Sequence, residues 1–245
     1  MKRLFLNSSS YYSGGDGTFM GHCFDALKEF LGPIEGEKNT VLFVPYADPD
    51  MKWDEYTEKA SKPFKQMGYE FSGIHTYAAP KDFQFDPKII AIFIGGGNTW
   101  FLNKCLHDFK LIEPIKNGVN SGKLKYIGSS AGTLVACRSI ITTNDMSSIE
   151  NPITAGLNLI PFQINAHFVS GALIPGHKGE TREERIRQVL VHNNWEVACI
   201  PEGCWIESSS DEYTLRGSHN GIIINPDPKL TRPWISGETI ETWSY

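Results

Sequence analysis

Apolar and polar positions along the chain fall into two alternating patterns, one of short unbroken apolar runs and one of helical spacing. Leu4-Phe5-Leu6 is a first short strand, and the polar, glycine-rich stretch from Asn7 to Gly17 is too long for a minimal turn. From Phe19 to Leu31 apolar residues recur at helical spacing (Phe24, Leu27, Phe30, Leu31) until Gly32-Pro33 ends the pattern. Thr40 to Tyr46 reads TVLFVPY, the continuous run expected of a parallel strand covered on both faces. Trp53 to Met67 predicts a helix, Glu70 to His75 a weaker strand, and Ile89 to Ile94 a buried strand running into Gly95-Gly96-Gly97-Asn98. Helices over Thr99 to Leu106 and Ile112 to Ser121 follow, then a strand over Leu124 to Ile127 and a helix over Ala131 to Arg138. This alternation predicts an α/β fold, a mostly parallel sheet with helices on both faces. Ligands in such folds gather at the carboxyl ends of the strands, so the loops after Leu6, Tyr46, Ile94 and Ile127 should share one rim.

Past Arg138 the pattern loosens. A loop from Asn144 to Ile160 leads to an extended piece, Phe162 to Phe168, and Arg182 to His192 is a charged helix with Ile186, Val189 and Leu190 on one face. Val197 to Ile200 is a late strand ending at Pro201-Glu202-Gly203, and Trp205 to Asn225 alternates as terminal antiparallel strands do. No repeat or linker interrupts the chain, so a single domain over residues 1–245 is expected.

Composition narrows the function classes. Apolar residues make up 40% and charged residues 21%, ordinary for a globular protein, and the net charge of -5 offers no basic footprint for nucleic acid or a membrane surface. No apolar run approaches the roughly 18 residues of a spanning helix. Met1 to Leu6 gives way to Asn7-Ser8-Ser9-Ser10 before a signal core could form, so a cytoplasmic protein is expected. Cys23, Cys105, Cys137, Cys199 and Cys204 are odd in number and lack metal-type spacing, which predicts buried reduced thiols. No metal-ligand motif is present, and no metal or cofactor is expected.

Candidate chemistry centres on Gly128-Ser129-Ser130-Ala131-Gly132, the turn between the Leu124 strand and the Ala131 helix. Glycines flanking Ser130 leave room for a strained strand–serine–helix turn, a nucleophile elbow that lifts the hydroxyl above the sheet edge. The N–H of Ala131 is then placed to stabilise an oxyanion, and a second donor from Gly96 or Gly97 is the better use of a glycine loop that lacks phosphate-binding spacing. The bland alternative is a tight turn in which Ser130 merely caps the helix. A nucleophilic serine needs a base and an acid that orients it. Of seven histidines, His22, His107 and His192 fall in helical stretches and His75 and His219 near strand ends without a polar cluster, whereas His167 follows an extended run downstream of the turn, at the kind of strand end that faces the same rim; the bland alternative is a satisfied structural histidine. Asp145 and Glu202 are the candidate acids. Glu202 is slightly favoured as the direct imidazole partner because it emerges from a buried strand, where an unpaired carboxylate is costly.

These pieces resemble the peptidase E family, the α-aspartyl dipeptidases of the serine-peptidase group that also contains cyanophycinase. The resemblance rests on I-G-G-G-N-T at Ile94 to Thr99, G-S-S-A-G at Gly128 to Gly132, T-T-N-D-M at Thr142 to Met146, Q-I-N-A-H-F at Gln163 to Phe168, G-H-K-G-E-T-R-E at Gly176 to Glu183 and P-E-G at Pro201 to Gly203. It implies a class I glutamine amidotransferase-like (flavodoxin-like) fold, Ser130 as nucleophile, His167 as base, Glu202 as third member and Asp145 as a further acid. Ser129 stands where a bulky residue often precedes the nucleophile, and Ala166 replaces a proline, so fine substrate preference and loop rigidity are open.

The resemblance further implies small peptides with N-terminal aspartate as substrates; a monomer or small homo-oligomer is expected. Arg182 or Lys178 is expected to pair with the substrate carboxylate and Glu180 with its ammonium, with Asn98 a further binding candidate. A lipase-like hydrolase is disfavoured because its acid precedes its histidine, and an amidotransferase because Ser130 stands in place of cysteine. A cyanophycinase-like β-aspartyl peptidase and a silent small-molecule binding protein are the alternatives.

Overall fold

The computed structural model describes residues 1–37, 39–77, 85–171 and 178–243. Its first half winds strand and helix in turn: β1 (Arg3–Asn7), α1 (Phe24–Leu31), β2 (Thr40–Val44), α2 (Trp53–Gln66), β3 (Glu70–Gly73), β4 (Ile89–Ile94), α3 (Thr99–Asp108), α4 (Ile112–Asn120), β5 (Lys125–Ser129) and α5 (Ala131–Leu134). The second half adds β6 (Gln163–Ala166), α6 (Arg182–Leu190), β7 (Val197–Ile200), β8 (Cys204–Ser209), β9 (Glu212–Gly217), β10 (Gly221–Ile224), β11 (Arg232–Trp234) and β12 (Thr239–Ile240).

Two sheets result. The larger has eight strands in the order β12-β9-β8-β1-β5-β4-β2-β3. Its β1-β5-β4-β2-β3 half is parallel, and β8, β9 and β12 extend it antiparallel from β1. The parallel strands are covered on both sides. Phe5, Val41, Phe43, Ala91, Phe93 and Ile127 pack under α1 and α2, while Leu4, Leu6, Leu42, Val44, Ile92 and Ile94 pack against α3, α4 and α5. This is the period-two alternation of a strand, hidden in the sequence because both faces are apolar. The fully buried phenylalanines of the first face each contribute on the order of 2 kcal/mol.

The smaller sheet, β11-β10-β7-β6, is not foreshadowed by the sequence pattern. Its Ile164, Ala198, Ile200, Ile223 and Trp234 share the core under α5, and α6 covers the other face through Ile186 and Leu190.

Three elements depart most from expectation. The Phe19 to Leu31 segment is helical only from Phe24, after a 3-10 turn at Gly21–Cys23. The strand at Glu70 stops at Gly73 and turns into a 3-10 helix over Ile74–Thr76. The helix after Ser130 is a single turn rather than running to Arg138. The carbonyls of Val135, Ala136, Cys137 and Arg138 accept from Leu157, Leu159, Asn158 and Gly156 instead, so donors from a distant segment replace the next helical turn. All five cysteines are buried and free, and among the described residues no helix is long and apolar enough to cross a membrane.

Candidate active site

The carboxyl ends of β1, β2, β4 and β5 in the large sheet and of β6 and β7 in the small one meet at one rim. A cavity of about 710 Å³ opens there, with Ser10, Ala47, Gly96, Ser130, His167 and Glu202 in its walls.

Ser130 sits between β5 and α5 with φ 51 and ψ -113, a conformation rare for a residue with a side chain and a mark of stored strain. Its surroundings enforce that shape. The Ser130 N–H donates to the Asn7 carbonyl at 3.0 Å, and the Ser130 carbonyl accepts from the Thr133 and Leu134 N–H groups. Gly132 cannot be another residue in this geometry, because a Cβ there would lie 1.9 Å from the Ile94 carbonyl oxygen. Close approach of α5 to β4 is therefore written into the second glycine of the motif.

His167 follows β6 with φ 53, also left-handed. Its Nε2 lies 2.8 Å from Ser130 Oγ and its Nδ1 lies 2.9 Å from Glu202 Oε1. With the proton on Nδ1, the imidazole donates to the carboxylate and accepts from the serine hydroxyl, the tautomer a base requires. The His167 and Glu202 side chains are 35% and 51% exposed, so the carboxylate reaches the imidazole from a wet rim rather than from the buried interior.

Three groups fix the histidine. The His167 N–H donates to Ser8 Oγ at 2.9 Å, and that hydroxyl donates to the Ile200 carbonyl at 2.9 Å, so Ser8 ties the end of β1 to the ends of both β6 and β7. The Arg182 guanidinium donates to the His167 carbonyl and, at 3.4 Å, to that of Ala166. Partial burial lowers the pKa of Arg182, while the nearby Glu202 opposes that shift. Asn144 Nδ2 completes the set on the Ala166 carbonyl at 2.9 Å. Nothing in the sequence marked Ser8, one of three consecutive serines.

The glycine loop forms the facing wall. Gly95 N–H donates to the Val44 carbonyl and Asn98 N–H to that of Ala47, which pins both ends and leaves Gly96 and Gly97 at the cavity. Gly97 has φ 139, and a Cβ there would lie 2.2 Å from the Ala47 carbonyl oxygen. Tyr56 of α2 donates from its hydroxyl to the Gly96 carbonyl at 3.0 Å, and burial pushes that phenol well up, so it stays a donor. Ala131 opens α5, so its N–H is among the first-turn donors without a helical partner.

Several expected residues lie elsewhere. Asp145 does not touch His167: its Oδ2 accepts from the Thr99 N–H at 2.8 Å and hydroxyl at 2.5 Å, anchoring the loop after α5 to the start of α3. Asn98 caps α3 by accepting from the Phe101 N–H and donates to the Met146 carbonyl, so its amide is committed to structure. Arg182 lies behind His167 rather than in the cavity. Glu180 accepts from Gln188 at 2.7 Å, and Lys178 is exposed and lines no part of the cavity. Thr181 and Glu184 form the reciprocal capping box that starts α6 in the middle of this charged run. Gly176 and His177 of the same motif fall outside the described residues.

A family model settles the kinship. Residues 4–216 match the model of peptidase family S51. The chain belongs to peptidase family S51. Within that kinship it is 40% identical over 218 residues to Peptidase E of Nostoc sp., covering 89% of this chain and 86% of that one. It is 36% identical over 224 residues to a Drosophila melanogaster protein named "Probable alpha-aspartyl dipeptidase", covering 91% and 90%. The crystal structure of a peptidase from an acI-B1 Actinobacterium superposes with a TM-score of 0.70 at 17% identity, over 99% of this chain and 97% of that one, which is a likeness of fold. The S51 match runs from β1 into β9 and so takes in Ser130, His167 and Glu202, while β10, β11 and β12 lie beyond it.

Proposed function

We propose that this S51 peptidase is a serine-type dipeptidase that hydrolyses the bond after an N-terminal aspartate, releasing free aspartate through an acyl-enzyme. The observation that carries the reading is the unbroken line of hydrogen bonds from Ser130 through His167 to Glu202 at the mouth of a cavity. The relatives named for peptidase E and α-aspartyl dipeptidase activity supply the substrate class. In this reading Ser130 is the nucleophile of a strand–serine–helix elbow on a class I glutamine amidotransferase-like, flavodoxin-like fold, and residues 1–245 act as one catalytic domain. Asp145 supports the site through Thr99 rather than through the imidazole.

The steps follow from the geometry. Ser130 Oγ attacks the aspartyl α-carbonyl carbon while His167 Nε2 takes its proton, and Glu202 holds the imidazole and offsets the imidazolium charge. The carbonyl oxygen becomes an oxyanion facing the N–H groups of Ala131 and of Gly96 or Gly97. Because α5 is one turn long, the stabilisation comes from individual N–H donors rather than from a long helix dipole. Collapse breaks the C–N bond, His167 hands the proton to the leaving amine, and water repeats the sequence on the ester to free aspartate.

Substrate charges are then read by groups that line the cavity. Lys52 and Lys59 complement the two carboxylates of an Asp-X dipeptide, and Glu55 its ammonium. The net charge of -5 supports small peptides rather than nucleic acid or membrane as partners, and a cytoplasmic monomer or small homo-oligomer is proposed. No cofactor or metal enters these steps.

The test is hydrolysis of α-Asp-Leu by the purified protein and by Ser130→Ala, with EDTA present and Ala-Leu, β-Asp-Leu and β-Asp-Arg as controls. Cleavage of the α-aspartyl peptide alone, lost in the variant, is the expected result. Cleavage of β-Asp-Arg in its place moves the protein to the cyanophycinase-like alternative, and no cleavage moves it to a binding protein.

A further inference from the structure

A stripe of α2, next to Asp48 and Pro49, lines the cavity that holds Ser130. Lys52, at its N-cap, and Glu55, Tyr56 and Lys59 follow one another at offsets of three, four and seven residues, which puts them on one helix face, and all four line the cavity. The other wall is aromatic. Tyr11 and Phe19, from the loop after β1, meet edge to face with ring centroids 5.5 Å apart. Lys59 crosses between the walls, its Nζ 4.9 Å from the centre of the Tyr11 ring. Such a contact holds an ammonium in place while leaving hydrogens free to donate. Lys59 forms no ion pair among the described residues, whereas Lys88 and Lys104 each pair with a carboxylate. A second space of about 570 Å³ shares Tyr11, Phe19, Glu55 and Lys59 with the first and continues past Glu58 and Lys62. Lys59 therefore stands between two adjoining spaces, with Ser130 in the wall of one only.

Given the aspartyl dipeptidase reading, on which this step rests, the direction of the substrate follows. The N-terminal residue has nothing before it, so only the part beyond the scissile bond can run outward along the groove. We propose that Lys59 reads the free C-terminal carboxylate of the residue after the scissile bond, with Tyr11 and Phe19 as the wall for that residue's side chain, and thereby restricts cleavage to dipeptides with an apolar or aromatic second residue. A dipeptide ends one residue past the scissile bond, about 3.8 Å further along the chain between Cα atoms. A longer or amidated peptide presents a neutral amide at the same place, which forfeits the charge-assisted hydrogen bond, and a longer one has to extend past Lys59 and Tyr11. An ammonium suits this task because a carboxylate at the end of a rotatable residue needs a point charge more than a planar fork.

The experiment compares Asp-Leu, Asp-Leu amide and Asp-Leu-Ala on the parent, Lys59→Met and Lys59→Arg, by steady-state kinetics. It adds calorimetric binding of the same three peptides to the Ser130→Ala chain with and without Lys59→Met. The parent is expected to favour the free acid over the amide by about 10- to 100-fold in kcat/KM, and Ser130→Ala by a similar ratio in Kd. Lys59→Met should raise KM and Kd for Asp-Leu by about that factor and leave the amide nearly unchanged, so that the preference collapses, while Lys59→Arg keeps most of it. Equal losses on acid and amide would assign Lys59 to the aspartate side chain or to structure and overturn the proposal, as would free acid and amide treated alike both by the parent in turnover and by Ser130→Ala in binding. If Ser130→Ala binds the free acid preferentially through Lys59 while the parent cleaves nothing, the Lys59 assignment stands and the dipeptidase reading is removed instead.

Discussion

The two sheets hold their shares of the candidate site by different means. The large sheet presents Ser130 and the glycine loop on strands buried on both faces, and the close fit of Gly132 against the Ile94 carbonyl leaves the serine no other place to go. The small sheet presents His167 and Glu202 on the ends of four-residue strands, and both side chains are substantially exposed. Packing cannot position them there. Individual polar groups do so instead, with Ser8, Asn144 and Arg182 each holding a backbone atom at or beside His167. The serine side should thus fail through volume, and the histidine side through the loss of single hydrogen bonds.

The largest expected effect tests whether the two sheets form one catalytic unit. Ser130→Ala and His167→Ala should each lower kcat on Asp-Leu by about 10⁴-fold or more, and the double variant should lose no more than the worse single one. Multiplying losses would mean that serine and histidine work independently, against the 2.8 Å contact between them.

Next comes the difference in how each side breaks. Gly132→Ala forces a Cβ into the Ile94 carbonyl and should cost about 3 kcal/mol or more of stability, read in urea unfolding, with activity lost through the fold. Ser8→Ala should do the reverse. Removing a hydroxyl that accepts from His167 and donates to Ile200 should lower kcat about tenfold, leave KM within twofold and shift Tm by only about 2–4 °C. Ser8→Thr, which keeps the hydroxyl, should recover part of the rate. If Ser8→Ala unfolds the chain as readily as Gly132→Ala, the histidine side is held by packing after all.

The same contrast explains what was legible in the sequence. Ile89–Ile94 and Val197–Ile200 carry unbroken apolar runs, and the structure gives those strands the same limits. That β6 and β7 form a separate sheet could not be read, because membership depends on pairing with β10 and β11 far downstream, one of them only three residues long with Pro233 inside it. In the site, residues framed by glycines and strand ends stood out: Ser130, the glycine loop, His167 and Glu202. Lys52 and Lys59 did not, since a charged stripe on a helix looks like any solvated face until a second wall stands opposite it. The charged run at Lys178, Glu180 and Arg182 reads as more purposeful, yet Glu180 bonds to Gln188 of α6, Arg182 holds the His167 backbone, and Lys178 stays exposed outside the cavity. Asp145 was open between two roles because sequence cannot tell a loop anchor from an imidazole partner.

The smallest expected effect lies where the two sides meet. His22 sits 3.2 Å from the Asn7 side-chain oxygen through Nε2, and the carbonyl of that same Asn7 fixes the Ser130 N–H. The Tyr12 and Trp205 rings flank the imidazole. Burial lowers its pKa from the usual 6.5, against the opposing pull of the Asp16 and Glu202 carboxylates. A histidine kept neutral in the folded chain binds fewer protons than in the unfolded chain once pH falls below about 6.5. Stability should therefore decline as pH drops from that value through the lowered folded value, and be indifferent to His22 above it. His22→Gln keeps a donor for Asn7 and removes the titration, so its Tm should fall less than the parent's between pH 6.5 and 5, by about 1–2 °C. A parent and variant with parallel Tm curves would mean that Asp16 and Glu202 cancel the burial effect. In that case Glu202, 2.9 Å from His167, would carry its influence across the seam to the serine side as well.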